Sequence, residues 1–191
     1  YKAGIKAFTS LGQGNINEWL ESFLPNTRII LEPKIVGSII GIQYIDGKLN
    51  KAINKNSEDI TKSVINLENI PKFIPIKNEM EIQGIVYNKN NLSNINNKIE
   101  FKIIQKSNQK RIRFCAVRIF HCNLNHFQSL QELKYLNFEI PQTQYTKFIS
   151  DIKIFVQFWK DGKLFKHYPS NGIVLKINSR KLQKYLKENN I

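Results

Sequence analysis

The chain has 191 residues, with 29 Lys+Arg against 15 Asp+Glu, a formal net charge of +14. Its 41% hydrophobic and 11% aromatic content is enough for a buried core, which excludes wholesale disorder and fits one domain spanning residues 1–191. No apolar run approaches the roughly 18 residues of a membrane helix, and no N-terminal apolar block reads as a signal peptide, so no membrane partner is expected.

The charge surplus points first to a polyanion. Heavy use of Ile, Lys and Asn, as in AT-rich genomes, discounts that argument and leaves an organelle or viral origin open. Cys115 and Cys122 make no disulfide framework, which fits an intracellular, reducing compartment. The chain opens on Tyr1 rather than Met, so a trimmed, processed or fragmentary sequence is expected.

In chain order, Trp19, Leu20 and Phe23 at helical spacing predict a helix over Ile16–Phe23, with Asn15 or Asn17 as cap. Arg28–Ile35 and Ser38–Ile45 read as strands. Asp46-Gly47 is a two-residue hairpin turn into Lys48–Ile53. Ser57-Glu58-Asp59 places acidic residues at the start of a helix running through Val64. Glu81–Tyr87 alternates as a strand, and the Asn-rich stretch Asn88–Asn97 is a loop. Strands are expected at Glu100–Gln105 and Arg111–Phe120. Helices are expected at Leu130–Leu136 and Thr146–Trp159, the latter burying Phe148, Ile152, Phe155, Val156 and Trp159. Gly172–Ile177 is a strand, and Arg180–Glu188 a basic helix. The pattern is α+β with mostly antiparallel strands.

The residues that suggest chemistry are Glu32-Pro33-Lys34-Ile35-Val36-Gly37. A lysine at the end of a buried strand is ordinarily a solvated charge, but one desolvated in an apolar pocket can become an amine nucleophile. The hexapeptide resembles the E-P-K-x-D-G motif of the adenylation (nucleotidyltransferase) domain of bacterial NAD-dependent DNA ligases. Thr9-Ser10-Leu11 is similar to that family's L-S-L stretch, and Ser57-Glu58-Asp59-Ile60-Thr61 to its G-E-D-[IV]-T. Asn66–Pro71 resembles T-I-x-N-I-P, and Glu81–Val86 resembles E-V-R-G-E-V. Arg113–Val117 sits where the family has an aromatic-rich strand, and Asn171–Asn178 resembles D-G-V-V-I-K-V-N.

The resemblance implies a DNA-ligase-type, ATP-grasp-like nucleotidyltransferase fold, with two mostly antiparallel sheets, helices on their flanks and a nucleotide cleft between. It makes Lys34 the nucleophile that carries the adenylate, and Glu32 the residue that reads the adenine amino group. Ser10 and Leu11 line the nucleotide site, and Gly37, closing the same motif, is placed with them. Lys176 neutralises the phosphate.

The departures weaken that chemistry. The acidic position two residues after the nucleophile is Val36. The Arg and Glu of R-G-E-V are Gln83 and Ile85. Asn171 replaces the acid that opens the last matched block, and Val117 stands in place of the adenine-stacking aromatic. The family's further motif A-x-K-F and its other domains are not found. Losing one preorganised electrostatic group commonly costs ~10²–10³ in rate. The leading expectation is therefore a ligase-like domain of impaired or absent activity, a nucleic-acid-binding or structural subunit of a larger assembly, with no cofactor. Two alternatives stay open: an active domain using NAD and Mg²⁺ to form a Lys34 adenylate, and a module that binds adenine nucleotide without transfer.

Basic residues interleave with aromatics around Arg111, Arg113 and Arg118, and Lys181 and Lys184 lie on the last helix. These are the candidate phosphate contacts. Alternation places Arg111, Arg113, Cys115 and Val117 on one strand face and Arg118 on the other. Cys115, His121, Cys122 and His126 follow no structural zinc spacing, so no metal site is expected.

Overall fold

In the computed structural model, residues 27–90 and 110–188 are described. The expected helix at Ile16–Phe23, the strand at Glu100–Gln105 and the site residues Ser10 and Leu11 lie outside them. Among the described residues, seven strands form two antiparallel sheets. The first sheet has the order β6 (Gln144–Thr146), β1 (Ile29–Ile35), β7 (Ser170–Ile177). The second has the order β3 (Lys48–Asn54), β2 (Ser38–Ile45), β4 (Glu79–Asn88), β5 (Ile112–Ile119). The helices are α1 (Thr61–Val64), α2 (His126–Tyr135), α3 (Ile149–Lys160) and α4 (Arg180–Glu188). No helix among the described residues is long and apolar enough to cross a membrane.

The β-rich core follows from Ile- and Val-rich runs that suit the pleated surface. Asp46 and Gly47 both take positive φ, 47° and 80°, the backbone a tight hairpin demands and Gly supplies without strain. In the second sheet, Ile40, Ile42, Tyr44, Ile82, Val86, Phe114 and Ala116 turn one face toward Leu130 and Leu133 of α2. In the first sheet, Ile29, Leu31 and Ile177 turn outward onto Ile152 of α3 and onto Phe165. Each sheet thus has a helix-covered face and an opposite face, and the opposite faces carry the polar residues considered below.

Three local expectations are corrected. The acidic run does not open a helix. Asp59 forms a bridge with Ile53, its carboxylate accepts the Thr61 N–H at 2.9 Å, and Ser57 sits at φ 64°, outside the helical region. The helix begins only at Thr61. Thr146 ends β6 rather than starting a helix. Its hydroxyl accepts from the Phe148 N–H at 2.9 Å and donates to Asp151 at 2.5 Å, which turns the chain into α3. Phe148, expected in the buried face, is 65% exposed, whereas Ile152 is buried.

The third correction concerns β5. Gln83 pairs with Arg118 but Gly84 pairs with Ala116, so Val117 is an extra residue on β5. That bulge breaks the alternation. Arg118 therefore shares a face with Arg113 and Cys115 instead of lying opposite them.

Candidate functional site

On β1, strand alternation puts Ile30, Glu32 and Lys34 on the face away from α3. The β7 register sets Lys176 opposite Ile30 and Val174 opposite Glu32, so Lys176 shares that face. Gly172 meets Lys34 there. A Cβ built on Gly172 would lie 3.7 Å from Lys34 Cδ, so the glycine leaves one side of the lysine stem uncrowded. Gly37, just beyond β1, has a different reason to be glycine. A Cβ there would fall 2.3 Å from the Val86 carbonyl oxygen, so the chain can cross from the first sheet to the second only without a side chain.

Glu32 is the centre of the site. It is 2% exposed, and both carboxylate oxygens are engaged. Lys176 Nζ donates to Oε2 at 2.6 Å, and His126 Nε2 lies 2.5 Å from Oε1. Burial alone would raise the Glu32 pKa, but the charge of Lys176 and the two hydrogen bonds outweigh it and lower the value to about 2. Burial, the positive Lys176 and Arg118 push the His126 pKa down, against the opposing pull of Glu32. At neutral pH the imidazole is therefore neutral and the contact is a hydrogen bond, not an ion pair. Since the carboxylate only accepts, the proton sits on Nε2.

In the sequence His126 stands out only as a residue with the wrong spacing for zinc. Its site is set by the start of α2. Asn125 and Gln128 form a capping box, and the His126 N–H donates to the Asn178 carbonyl just beyond β7. The Asn-x-x-Gln spacing was the available sign that this helix starts at His126 rather than Leu130.

Lys34 is exposed at the β1 surface. The strand positions the amine on the same face as Glu32 and Lys176 but does not enclose it in an apolar pocket, so Lys34 has the exposure of an ordinary strand-end lysine. The facing side of the second sheet carries Gln83, Ile85, Tyr87, Cys115 and Arg118. Ile85, at the acidic position of R-G-E-V, packs with Ile35, Tyr87, Cys115 and Tyr168. This apolar cluster fills that position. The Gln83 amide is fully buried and neither of its polar atoms has a partner, and the Arg118 Nε beside it is likewise unpartnered.

The candidate phosphate contacts do not form one surface. Arg113 binds Glu139 through Nε at 3.0 Å and Nη2 at 2.9 Å, and Glu139 also accepts from the Tyr87 hydroxyl. The Arg118 guanidinium lies 5.3 Å from the Phe120 ring centroid. Arg111, Lys181 and Lys184 are exposed. Cys115 is buried, His121 is exposed and His126 is committed to Glu32, and among the described residues no group of three or more His, Cys, Asp or Glu is placed to hold a metal.

A family model described as the NAD-dependent DNA ligase adenylation domain matches residues 8–118, more than half of the chain. The chain belongs to that family. The adenylation domain is 26% identical to the DNA ligase of Mesoplasma florum over 83% of this chain and 28% of that protein. It is also 26% identical to the DNA ligase of Metamycoplasma arthritidis, over 92% of this chain and 32% of the relative. The chain thus spans about a third or less of the length of these relatives.

Two examples illustrate the solved structures that share its fold. One is an archaeal ATP-dependent RNA ligase, with TM-score 0.55 and 12% identity over 84% of this chain and 42% of that one. The other is a mycobacterial DNA ligase D complexed with ATP and MES, with TM-score 0.51 and 12% identity over 80% and 49%. The fold of this adenylation domain is accordingly the ligase-type nucleotidyltransferase fold expected from the sequence, α+β with two antiparallel sheets.

Proposed function

We propose that this is a catalytically impaired adenylation domain that retains recognition of an adenine nucleotide. The observation that carries the reading is a split within one cleft. The buried Glu32 carboxylate and its partner Lys176 are in place, while of the three further positions where the family motifs carry acids one holds Asn171 and two hold the apolar Val36 and Ile85, the latter in an apolar cluster. A site still needing charge there would leave no reason for apolar side chains. One that no longer needs it gains by losing carboxylates whose burial is costly. NAD fits the residues present: Glu32 offers an acceptor, Lys176 a cation and Gly172 a position without a side chain against Lys34. Mg²⁺ fits less well, because Val36 and Ile85 offer no oxygen ligand and Glu32 is already engaged.

Adenylation would proceed by attack of Lys34 Nζ on the α-phosphorus of NAD. A P–N bond forms, the pyrophosphate P–O bond breaks, nicotinamide mononucleotide leaves and the amine gives up a proton. The test is intact mass after incubation with NAD and, separately, with ATP, each with Mg²⁺. We expect at most a trace of adduct, an addition of ~329 Da that disappears in Lys34→Ala. Rapid stoichiometric adduct would instead establish an active enzyme, a reading favoured by the shared face of Lys34, Glu32 and Lys176.

The charge of +14 and the DNA ligase relatives support a nucleic-acid partner. Among the candidate phosphate contacts, Arg111, Lys181 and Lys184 are exposed. Their replacement by Gln should lower affinity for duplex DNA and flatten its salt dependence.

A further inference from the structure

We propose that His126 is a positioning residue for base recognition: by donating from Nε2 to Glu32 Oε1, it fixes the Glu32 carboxylate as an acceptor for a 6-amino purine and against a 6-oxo purine. The inference rests on the nucleotide reading of the cleft given above.

The geometry has three parts. Glu32 is held from two sides by groups on different elements, Lys176 of β7 at Oε2 and His126 of α2 at Oε1. All three are largely buried, with side-chain exposures of 3% for Glu32, 7% for His126 and 12% for Lys176, so the arrangement is shielded from exchange with water. The backbone that carries the imidazole is itself anchored, since the His126 and Phe127 N–H groups donate to the Asn178 backbone and side-chain oxygens at 3.0 and 2.9 Å. The chain that delivers Lys176 therefore also delivers the anchor of the helix that delivers His126.

A carboxylate has about four acceptor sites, and these two bonds use two. The free lone pairs then point in directions set by His126 and Lys176. An adenine amino group can donate to such an oxygen. The 6-oxo group of hypoxanthine presents an acceptor to an acceptor. Without His126, Oε1 loses its donor and the carboxylate is free to rotate about the Lys176 contact. Either base then meets a less defined oxygen.

The test compares AMP and IMP binding to the full chain by calorimetry, for wild type, His126→Ala and His126→Gln. Gln places an amide N–H near the Nε2 position. Wild type should prefer AMP by about 100-fold, a ratio of the size that one well-made polar pair supplies. His126→Ala should lose about tenfold of that ratio, and His126→Gln should keep most of it. A merely structural histidine would weaken AMP and IMP alike and leave the ratio unchanged, which would overturn the proposal. So would a ratio in His126→Gln as low as in His126→Ala.

Should His126→Ala fail to fold, the decision passes to His126→Gln and to the imidazole ¹⁵N spectrum of the wild type. A neutral Nε2–H tautomer supports the proposal, and an Nδ1–H tautomer overturns it. A wild type that binds AMP with no preference over IMP overturns this inference alone. A wild type that binds neither nucleotide overturns the nucleotide reading and this inference with it.

Discussion

Lys176 reaches across from β7 to place its ammonium 2.6 Å from the Glu32 carboxylate of β1, and neither side chain is more than 12% exposed. Two groups that the family resemblance assigns to different parts of a nucleotide are thus partners of each other. Removing one member of a buried pair leaves the other uncompensated, which typically costs about 3–5 kcal/mol. We expect Lys176→Met at the lower end of that range, because His126 still donates to Glu32. Urea denaturation would measure it. The double variant Glu32→Gln/Lys176→Met should be more stable than Lys176→Met alone. If it is equally unstable, the pair is not what the single change disrupts.

The same cluster predicts how stability depends on pH. Glu32 has a folded pKa of about 2 against an ordinary 4.5. The unfolded chain therefore takes up a proton first as pH falls, and the stability that Glu32 contributes is present above pH 4.5 and lost from there down toward pH 2. His126 also titrates below its ordinary 6.5 in the folded state. Its contribution is likewise present above that value and is lost as pH falls below it. Acid should thus destabilise the domain in two windows. Glu32→Gln should flatten the lower one and His126→Gln the upper, as read from unfolding free energies at a series of pH values. An unchanged pH dependence in either variant would refute that assignment.

Most strands were legible because alternation, β-branched runs and the Asp46-Gly47 turn agree with one another. Ser38–Ile45 and Arg180–Glu188 have the bounds the sequence suggests. Illegible features were those decided by a single contact. The Val117 bulge, which turns Arg118 onto the cleft face, has no signature in periodicity. The helix expected from Ser57-Glu58-Asp59 was lost to side-chain bonds that hold the loop open, including Asn54 accepting from the Asn56 and Glu58 N–H groups. In the candidate site, Glu32, Lys34 and Lys176 were visible as motif residues. The role of His126 was not, because its partner is 94 residues away in sequence.

The block Asn66–Pro71 has a structural job that predicts a stability phenotype. Asn69 both donates to the Phe114 carbonyl at 2.7 Å and accepts the Phe114 N–H at 3.0 Å, so one amide pairs with both backbone groups of a residue in β5. Asn69→Ala would orphan both, and a buried unpaired backbone group costs about 1–3 kcal/mol. Asn69→Asp should also destabilise, since a carboxylate cannot donate to the carbonyl. Thermal unfolding would show both losses. If Asn69→Asp is neutral, the donor half of the contact is dispensable.

Gly84 in β4 is required by Phe114, whose ring covers it. A Cβ at Gly84 would fall 2.3 Å from two ring carbons and 2.5 Å from the Cys115 carbonyl oxygen. Overpacking of this kind costs about 1–3 kcal/mol, and the backbone contact cannot be relieved by a rotamer change. Gly84→Ala should therefore lower stability even in a Phe114→Leu background, with only the ring-derived part recovered. Full recovery would mean that the carbonyl contact relaxes without cost.

Impairment of the site also makes a prediction in the direction of gain. Val36 follows Lys34 by two residues and is partly exposed, and its N–H donates to the Pro169 carbonyl at 2.6 Å. A side chain at this position can therefore change without disturbing the backbone bond that holds it. An acid there restores negative charge beside the nucleophile. If charge loss limits transfer, Val36→Asp should increase the rate of the AMP adduct from NAD by up to ~10², the amount one electrostatic group commonly contributes. Ile85→Glu is a poorer test, because it would bury a carboxylate against Ile35, Tyr87 and Cys115. The Val36→Asp gain must vanish in Val36→Asp/Lys34→Ala, which separates transfer to the strand lysine from adduct at any other amine. No gain over wild type, with AMP still bound, would mean that the missing acid at residue 36 is not what limits this domain.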